Sequence, residues 1–201
     1  MGDKKRKVSI LKVAGNLFAR FGFFKTTVNE IARAARTGKA TLYYYFKGKE
    51  DIFREVIENE RVYFEEKIEK AIESKERPQE KMKAYFLARI KYLNELENLS
   101  NALKNEILWV YEFIKKIREK DFLMEIERVR KIIAEGVKEG IFEVEEKDVD
   151  LTSFTVVAAM KGLEYPWPVK ISPLGLEEKI EKILGILFKG ILKKSEKKQT
   201  A

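Results

Sequence analysis

The stretch TVNEIARAARTGKATLYYYFKGKED, Thr27 to Asp51, constrains this chain more than any other, because it spells two short helices separated by a tight turn. Thr27 followed three residues later by Glu30 is the pattern of a capping box, in which each side chain covers an N–H left unpaired by the first helical turn. Val28, Ile31, Ala32 and Ala35 then recur at helical spacing and give that helix one apolar face. Arg36, Thr37 and Gly38 break the pattern. A second helix is expected from Lys39 to about Phe46, with Leu42 and Phe46 four residues apart on its inner face. That leaves Ala40, Thr41, Tyr43 and Tyr44 directed outward, with Lys39 on the first turn. Exposed Lys, Thr and Tyr suit a polyanion, since cations and hydroxyls bind phosphate while ring edges and methyls meet bases. The arrangement is that of a helix-turn-helix, whose second helix enters the major groove of DNA.

Charge follows the same stretch. Met1 to Lys49 holds twelve basic residues against two acidic ones, Asp3 and Glu30, a net of +10. The remainder holds 29 basic and 31 acidic residues, a net of −2. A basic excess that coincides with a helix-turn-helix is the electrostatic signature of nucleic-acid binding. For Lys4 to Lys7 taken alone, a solvated basic tail explains the charge equally well. At 201 residues, 45% hydrophobic and 37% charged, the chain is long and apolar enough to fold around a sizeable core.

Composition also excludes classes of function. No apolar run approaches the length needed to cross a bilayer, and MGDKKRKVS has charge without the apolar stretch of a secretory signal, so a cytoplasmic location is expected. A membrane-surface role fits poorly, because the positive segment carries a core of aromatics rather than an exposed apolar face. Without cysteine there are no disulfides or thiolate zinc sites, and without histidine the commonest general base is missing. No phosphate-cradling glycine motif is present, and the carboxylates lie among Lys and Arg on helix faces. Catalysis, metals and cofactors are therefore not expected. Abundant Lys and Glu, with Gln only at Gln79 and Gln199, is a bias shared with proteins of hot environments.

The run IARAARTGKATLYYYFKGKEDIF resembles the DNA-binding signature of the tetracycline-repressor (TetR) family of transcriptional regulators. The shared elements are Ile31-Ala32, Thr41 to Lys47 and Lys49 to Phe53, preceded by LFARFGFFKTTV with its Phe-x-x-x-Gly helix end and paired Thr. Three departures fall together in the turn: Arg36 where the family usually has Gly, Thr37 where it has a small aliphatic, and Gly38 where it has Ser or another cap. The resemblance implies an all-α protein. A three-helix DNA-binding unit, residues 1–48, would precede a larger helical domain, residues 49–201, for effector binding and dimerisation. It implies backbone contacts from Thr41, Tyr43 and Lys49. Lys39 can donate to guanine O6 and N7, Ala40 can touch a thymine methyl, and Thr37 and Asn29 are polar enough to face base edges. For Lys39 a phosphate contact is the competing role, and Gly38 is expected chiefly to shape the turn. Thr27, Tyr44 and Tyr45 complete the candidate surface.

The rest of the chain follows helical periodicity throughout. A helix is expected from about Lys5 to Phe21, stopped by Gly22, and Phe21, Phe23 and Phe24 are assigned to the core rather than to DNA. Further helices are expected over about Lys49 to Ser74, Gln79 to Leu96, Asn98 to Arg118, Asp121 to Glu139, Lys147 to Glu164 and Leu176 to Lys193, with YPWPVKISPLG as a loop before the last. Pro78 fits a first helical turn and Gly140 a helix end. The final helix has an inner stripe of Ile180, Ile183, Leu184, Leu187 and Ile191, with Leu176, Ile186, Phe188 and Leu192 off it; two apolar faces imply two partners. Burial of both faces within one chain is the alternative. The resemblance implies a homodimer built from the last two helices, which assigns Phe154, Ala158, Gly162, Ile186 and Phe188 to its interface. Among the aromatics, most of which serve as core, Tyr85, Tyr92, Trp109 and Phe113 are the candidates to line an effector pocket, since apolar walls with few polar groups suit small lipophilic ligands. The function expected is a homodimeric repressor of a pseudo-palindromic DNA operator, released by a small, largely apolar effector. A sequence-indifferent architectural DNA-coating protein is the alternative.

Overall fold

Gly22 ends the first helix as its sequence position requires: its φ of 81° lies in the left-handed region, and its N–H closes on the Phe18 carbonyl at 2.8 Å. That helix, α1, spans Gly2–Phe21 in a computed structural model that describes residues 2–96, 98, 111–164 and 176–191. It starts three residues earlier than the periodicity suggests, with Asp3 in its first turn, where negative charge is favoured. Then come α2 (Val28–Ala34), α3 (Lys39–Tyr45), α4 (Lys49–Glu73), α5 (Pro78–Glu95) and α6 (Tyr111–Lys138). A single 3-10 turn (Glu146–Asp148) precedes α7 (Val149–Glu164), and α8 spans Leu176–Ile191. Among the described residues there is no strand, and no helix is long and apolar enough to cross a membrane. The fold is all-α, as expected.

The chain divides into two compact units, residues 1–66 with 92–111 and residues 67–91 with 112–201, so the divisions fall inside α4 and α5 and at the first residue of α6. In the first unit, Ile10, Ala14 and Phe18 of α1, Ile31 of α2, Leu42 and Phe46 at α3, and Ile52, Phe53 and Ile57 of α4 are all buried. Phe18 meets Phe53 edge-on at 5.1 Å, and Phe23 packs against both rings. The assignment of three further phenylalanines to this core is corrected: Phe23 is buried, but Phe21 is 49% and Phe24 71% exposed. Phe18 and Phe23 already fill the space beside Phe53, and a helix end followed by a turn cannot point every ring the same way. Asn98 is also buried here, its amide donating to the Gly15 carbonyl at 3.1 Å and to Glu60 at 2.7 Å.

In the second unit, α6 corrects a second expectation. The break between helices at Arg118 and Asp121 is absent, and the helix runs unbroken from Tyr111 to Lys138. Arg118, Glu119, Lys120 and Asp121 interrupt the apolar pattern but are neither Gly nor Pro, and three of them are strong helix formers. Gly136 of α6 admits the Phe142 ring so closely that a Cβ there would collide with it. Phe142 in turn stacks on Phe188 of α8 at 6.4 Å, and the Glu143 N–H donates to the Ile191 carbonyl. Pro78 stands first in α5 and Gly140 ends α6 with φ 68°, both as expected. The expected helical stretch 99–110, the loop 165–175 and the chain beyond 191, with Leu192 and Lys193, lie outside the described residues.

Candidate nucleic-acid interface

The helix-turn-helix is assembled by local hydrogen bonds. At the start of α2 the capping box forms in full: the Glu30 N–H donates to Thr27 Oγ1 at 3.2 Å, while the Thr27 N–H donates to Glu30 Oε2 at 2.8 Å. The Thr27 hydroxyl also donates to that carboxylate, and these bonds hold the Glu30 carboxyl below its ordinary value. At the other end of α2, the Arg36 N–H donates to the Arg33 carbonyl at 3.1 Å and the Thr37 N–H to the Ala32 carbonyl at 3.0 Å. That bond pair is a Schellman motif, and Arg36 occupies its left-handed position with φ 51°. Gly38 then serves as N-cap of α3 without a side-chain hydrogen bond.

Leu42 is fully buried beneath α3, and Phe46, its C-cap, is buried beside it, so the helix presents the opposite face outward. Lys39, Ala40 and Tyr43 are exposed on that face, and Tyr44 is 74% exposed. Lys39 lies over the Tyr43 ring at 5.9 Å. Thr27, Asn29 and Gly38 are also exposed, while Thr37 and Thr41 are half-buried. Two candidates are tied into the chain. The Tyr45 hydroxyl donates to Asp3 at 2.8 Å, which favours the neutral phenol and raises its pKa. Lys49 donates to the Phe23 carbonyl at 3.0 Å and sits 4.2 Å over the Phe23 ring, bracing the segment between α1 and α2. The start of α1 thus lies beside the end of α3, an arrangement that Lys7 reinforces by pairing with Glu55 and lying over Phe46. No local sequence signal marks these long-range ties.

The described effector candidates fall in both units. Tyr85 is fully buried in the second unit, Phe113 is half-buried there, Tyr92 packs against Tyr63 in the first, and Trp109 lies outside the described residues. The Tyr85 hydroxyl instead faces Glu125 at 3.5 Å, a buried carboxylate that accepts from Arg89 and, at 3.1 Å, from Lys161. The many charges of both signs on α5 and α6 conceal this network in the sequence. A groove of about 580 Å³ in the second unit is lined by four apolar residues, Ile72, Leu123, Met124 and Ile132, set among seven charged ones, and contains none of the three described candidates. Of the proposed interface residues, Phe154 is 47% and Ile186 72% exposed, Gly162 is exposed and Ala158 half-buried. Phe188 is half-buried against Phe142 of its own unit.

The model of the family described as bacterial regulatory proteins, tetR family, matches residues 10–56, which take in most of α1, all of α2 and α3, and the start of α4. Over these residues the chain carries the DNA-binding segment of the TetR family. Similarity extends well beyond that segment. The HTH-type transcriptional regulator YhgD of Bacillus subtilis is 28% identical over 177 residues, 86% of this chain and 89% of that protein. The fatty acid metabolism regulator protein of the same organism is 27% identical over 196 residues, 95% of this chain and 98% of that protein. A crystal structure of a transcriptional regulator from Cytophaga hutchinsonii matches with a TM-score of 0.75 at 28% identity, covering 92% of this chain and 97% of that one. The departures from the TetR pattern in the turn now have a geometry. Arg36 adopts the backbone conformation for which glycine is best suited, and Gly38 leaves the first turn of α3 without a side-chain cap.

Proposed function

We propose that this chain is a homodimeric, DNA-binding transcriptional repressor of the TetR family that reads a pseudo-palindromic operator and leaves it when a small, largely apolar effector binds. The observation that carries this reading is α3 itself: a recognition helix with a buried Leu42 face and an outward face of Lys39, Ala40, Tyr43 and Tyr44, set in the basic segment of the chain. Lys39 and Ala40 stand first on that helix and read base edges; Thr37 and Asn29 flank them. Thr27, Thr41, Tyr43 and Tyr44 hold the backbone. Lys49 keeps a third ammonium donor for phosphate beyond its two contacts with Phe23. Tyr45 takes part only if it gives up Asp3.

Residues 1–48 form the DNA-binding domain in this reading, and residues 49–201 bind the effector and dimerise. Full-length similarity to a protein named for fatty acid metabolism supports an effector of lipophilic character. The exposed Phe154, Gly162 and Ile186 support an apolar face for a second copy. Effector binding shifts the dimer toward a geometry whose recognition helices no longer match successive major grooves, with α4 as the lever. No catalytic step belongs to this function, and it places the protein in the cytoplasm with its DNA.

Selection of binding sites from a random duplex pool tests the reading with wild type and Lys39→Ala. Wild type is expected to enrich a sequence with two half-sites about 10–10.5 base pairs apart, centre to centre, or a multiple of that. Lys39→Ala is expected to lose about 1–3 kcal/mol on that sequence and to relax preference at one base pair per half-site. Identical sequences from both proteins would remove Lys39 from base reading, and no enrichment by wild type would overturn the function.

A further inference from the structure

Arg36 holds a left-handed backbone, φ 51°, and is the one non-glycine residue among those described to do so. Its conformation is imposed by the Schellman bonds of Arg36 to Arg33 and Thr37 to Ala32, which set the angle between α2 and α3. A glycine would satisfy those bonds without the clash between Cβ and the following carbonyl. The side chain gives nothing back inside the chain: it is exposed, and its guanidinium makes no hydrogen bond or ion pair among the described residues. Nor does it fill space in the core.

The charge around it is unbalanced. Glu30 is the sole acidic residue between Asp3 and Glu50, and its carboxylate is already bonded twice by Thr27. Arg33 and Lys39, both exposed, flank the same turn, and the first turn of α3 carries no acid. A strained backbone, an unengaged guanidinium and an excess of positive charge meet two residues before the N-cap of the recognition helix. We propose that Arg36 is a DNA-backbone contact, its guanidinium bonding a phosphate beside the groove that α3 enters, and that the turn retains its strained residue for that contact.

This contact rests on the DNA-binding function proposed above, so the test separates the two. Wild type, Arg36→Gly, Arg36→Asn and Arg36→Lys are compared as full-length protein on a wild-type-selected duplex and on a shuffled duplex of equal composition, over a range of salt. Gly and Asn both accept the left-handed turn, so each is expected to fold. Arg36→Gly is expected to melt roughly 2–4 °C higher than wild type, yet to bind both duplexes roughly tenfold more weakly. Its salt slope should fall by about one unit. Arg36→Asn should show the same loss of affinity and slope, and Arg36→Lys should recover the slope. Neutral variants that bind with wild-type affinity and slope would overturn the contact. A loss of affinity with an unchanged slope that Lys does not repair would also overturn it, since that is the behaviour of a turn residue acting through α3 alone. Wild type that holds no duplex would overturn the DNA function and this contact with it.

Discussion

Thr27 and Glu30 show how much of this protein is decided within four residues. Their reciprocal bonds cover N–H groups that α2, only seven residues long, could not leave unsatisfied and remain helical. The cap also makes the motif sensitive to acid, and the sign follows from the direction of the shift. Glu30 in the folded protein titrates below its ordinary value, chiefly because the Thr27 side chain bonds its carboxylate. Its stabilising contribution is therefore present above the ordinary carboxylate range and disappears as the pH falls through the lowered value. Thermal unfolding followed from neutral pH to about pH 3 should show wild type losing more stability than Glu30→Gln, which keeps an acceptor but does not titrate. Thr27→Ala should melt roughly 2–4 °C lower at neutral pH. Superimposable pH profiles for wild type and Glu30→Gln would contradict this account of the cap.

At the scale of elements, α7 and α8 carry the faces assigned to a second copy. Ile186 stands out from α8 while Leu184 is buried beneath it, so a charge at 186 meets solvent in a monomer and a partner in a dimer. Ile186→Glu is expected to give folded monomers by light scattering and unchanged helicity; an intact dimer would move the interface elsewhere. Phe188 is unsuited to that test, because its ring stacks on Phe142 and a charge there disturbs its own unit. The difference between these two residues marks the limit of sequence reading. Periodicity placed both off the inner stripe of α8, correctly for Ile186. Nothing within reach of Phe188 along the helix signals that Phe142, 46 residues away, covers it. The same limit explains the exposed Phe24 and the Glu125 network. Caps, turns and stripes are local and legible. The choice of which ring fills a shared space, or which carboxylate is buried, depends on partners far along the chain.

At the scale of the whole molecule, the proposed function requires a basic helix-turn-helix unit that reads sequence rather than only charge. A net of +10 over the first 49 residues guarantees attraction to any duplex, and attraction of that kind collapses with salt. In the proposed function the outward face of α3 adds groups that distinguish bases, and two copies held at a fixed spacing would multiply the discrimination. The most direct measurement is the ratio of affinities for a selected duplex and a shuffled duplex of equal length and composition, taken near physiological salt. A sequence-reading dimer is expected to give a ratio of about 10³ or more, with two chains bound per selected duplex. A ratio near one, falling on the same salt slope for both duplexes, would contradict it.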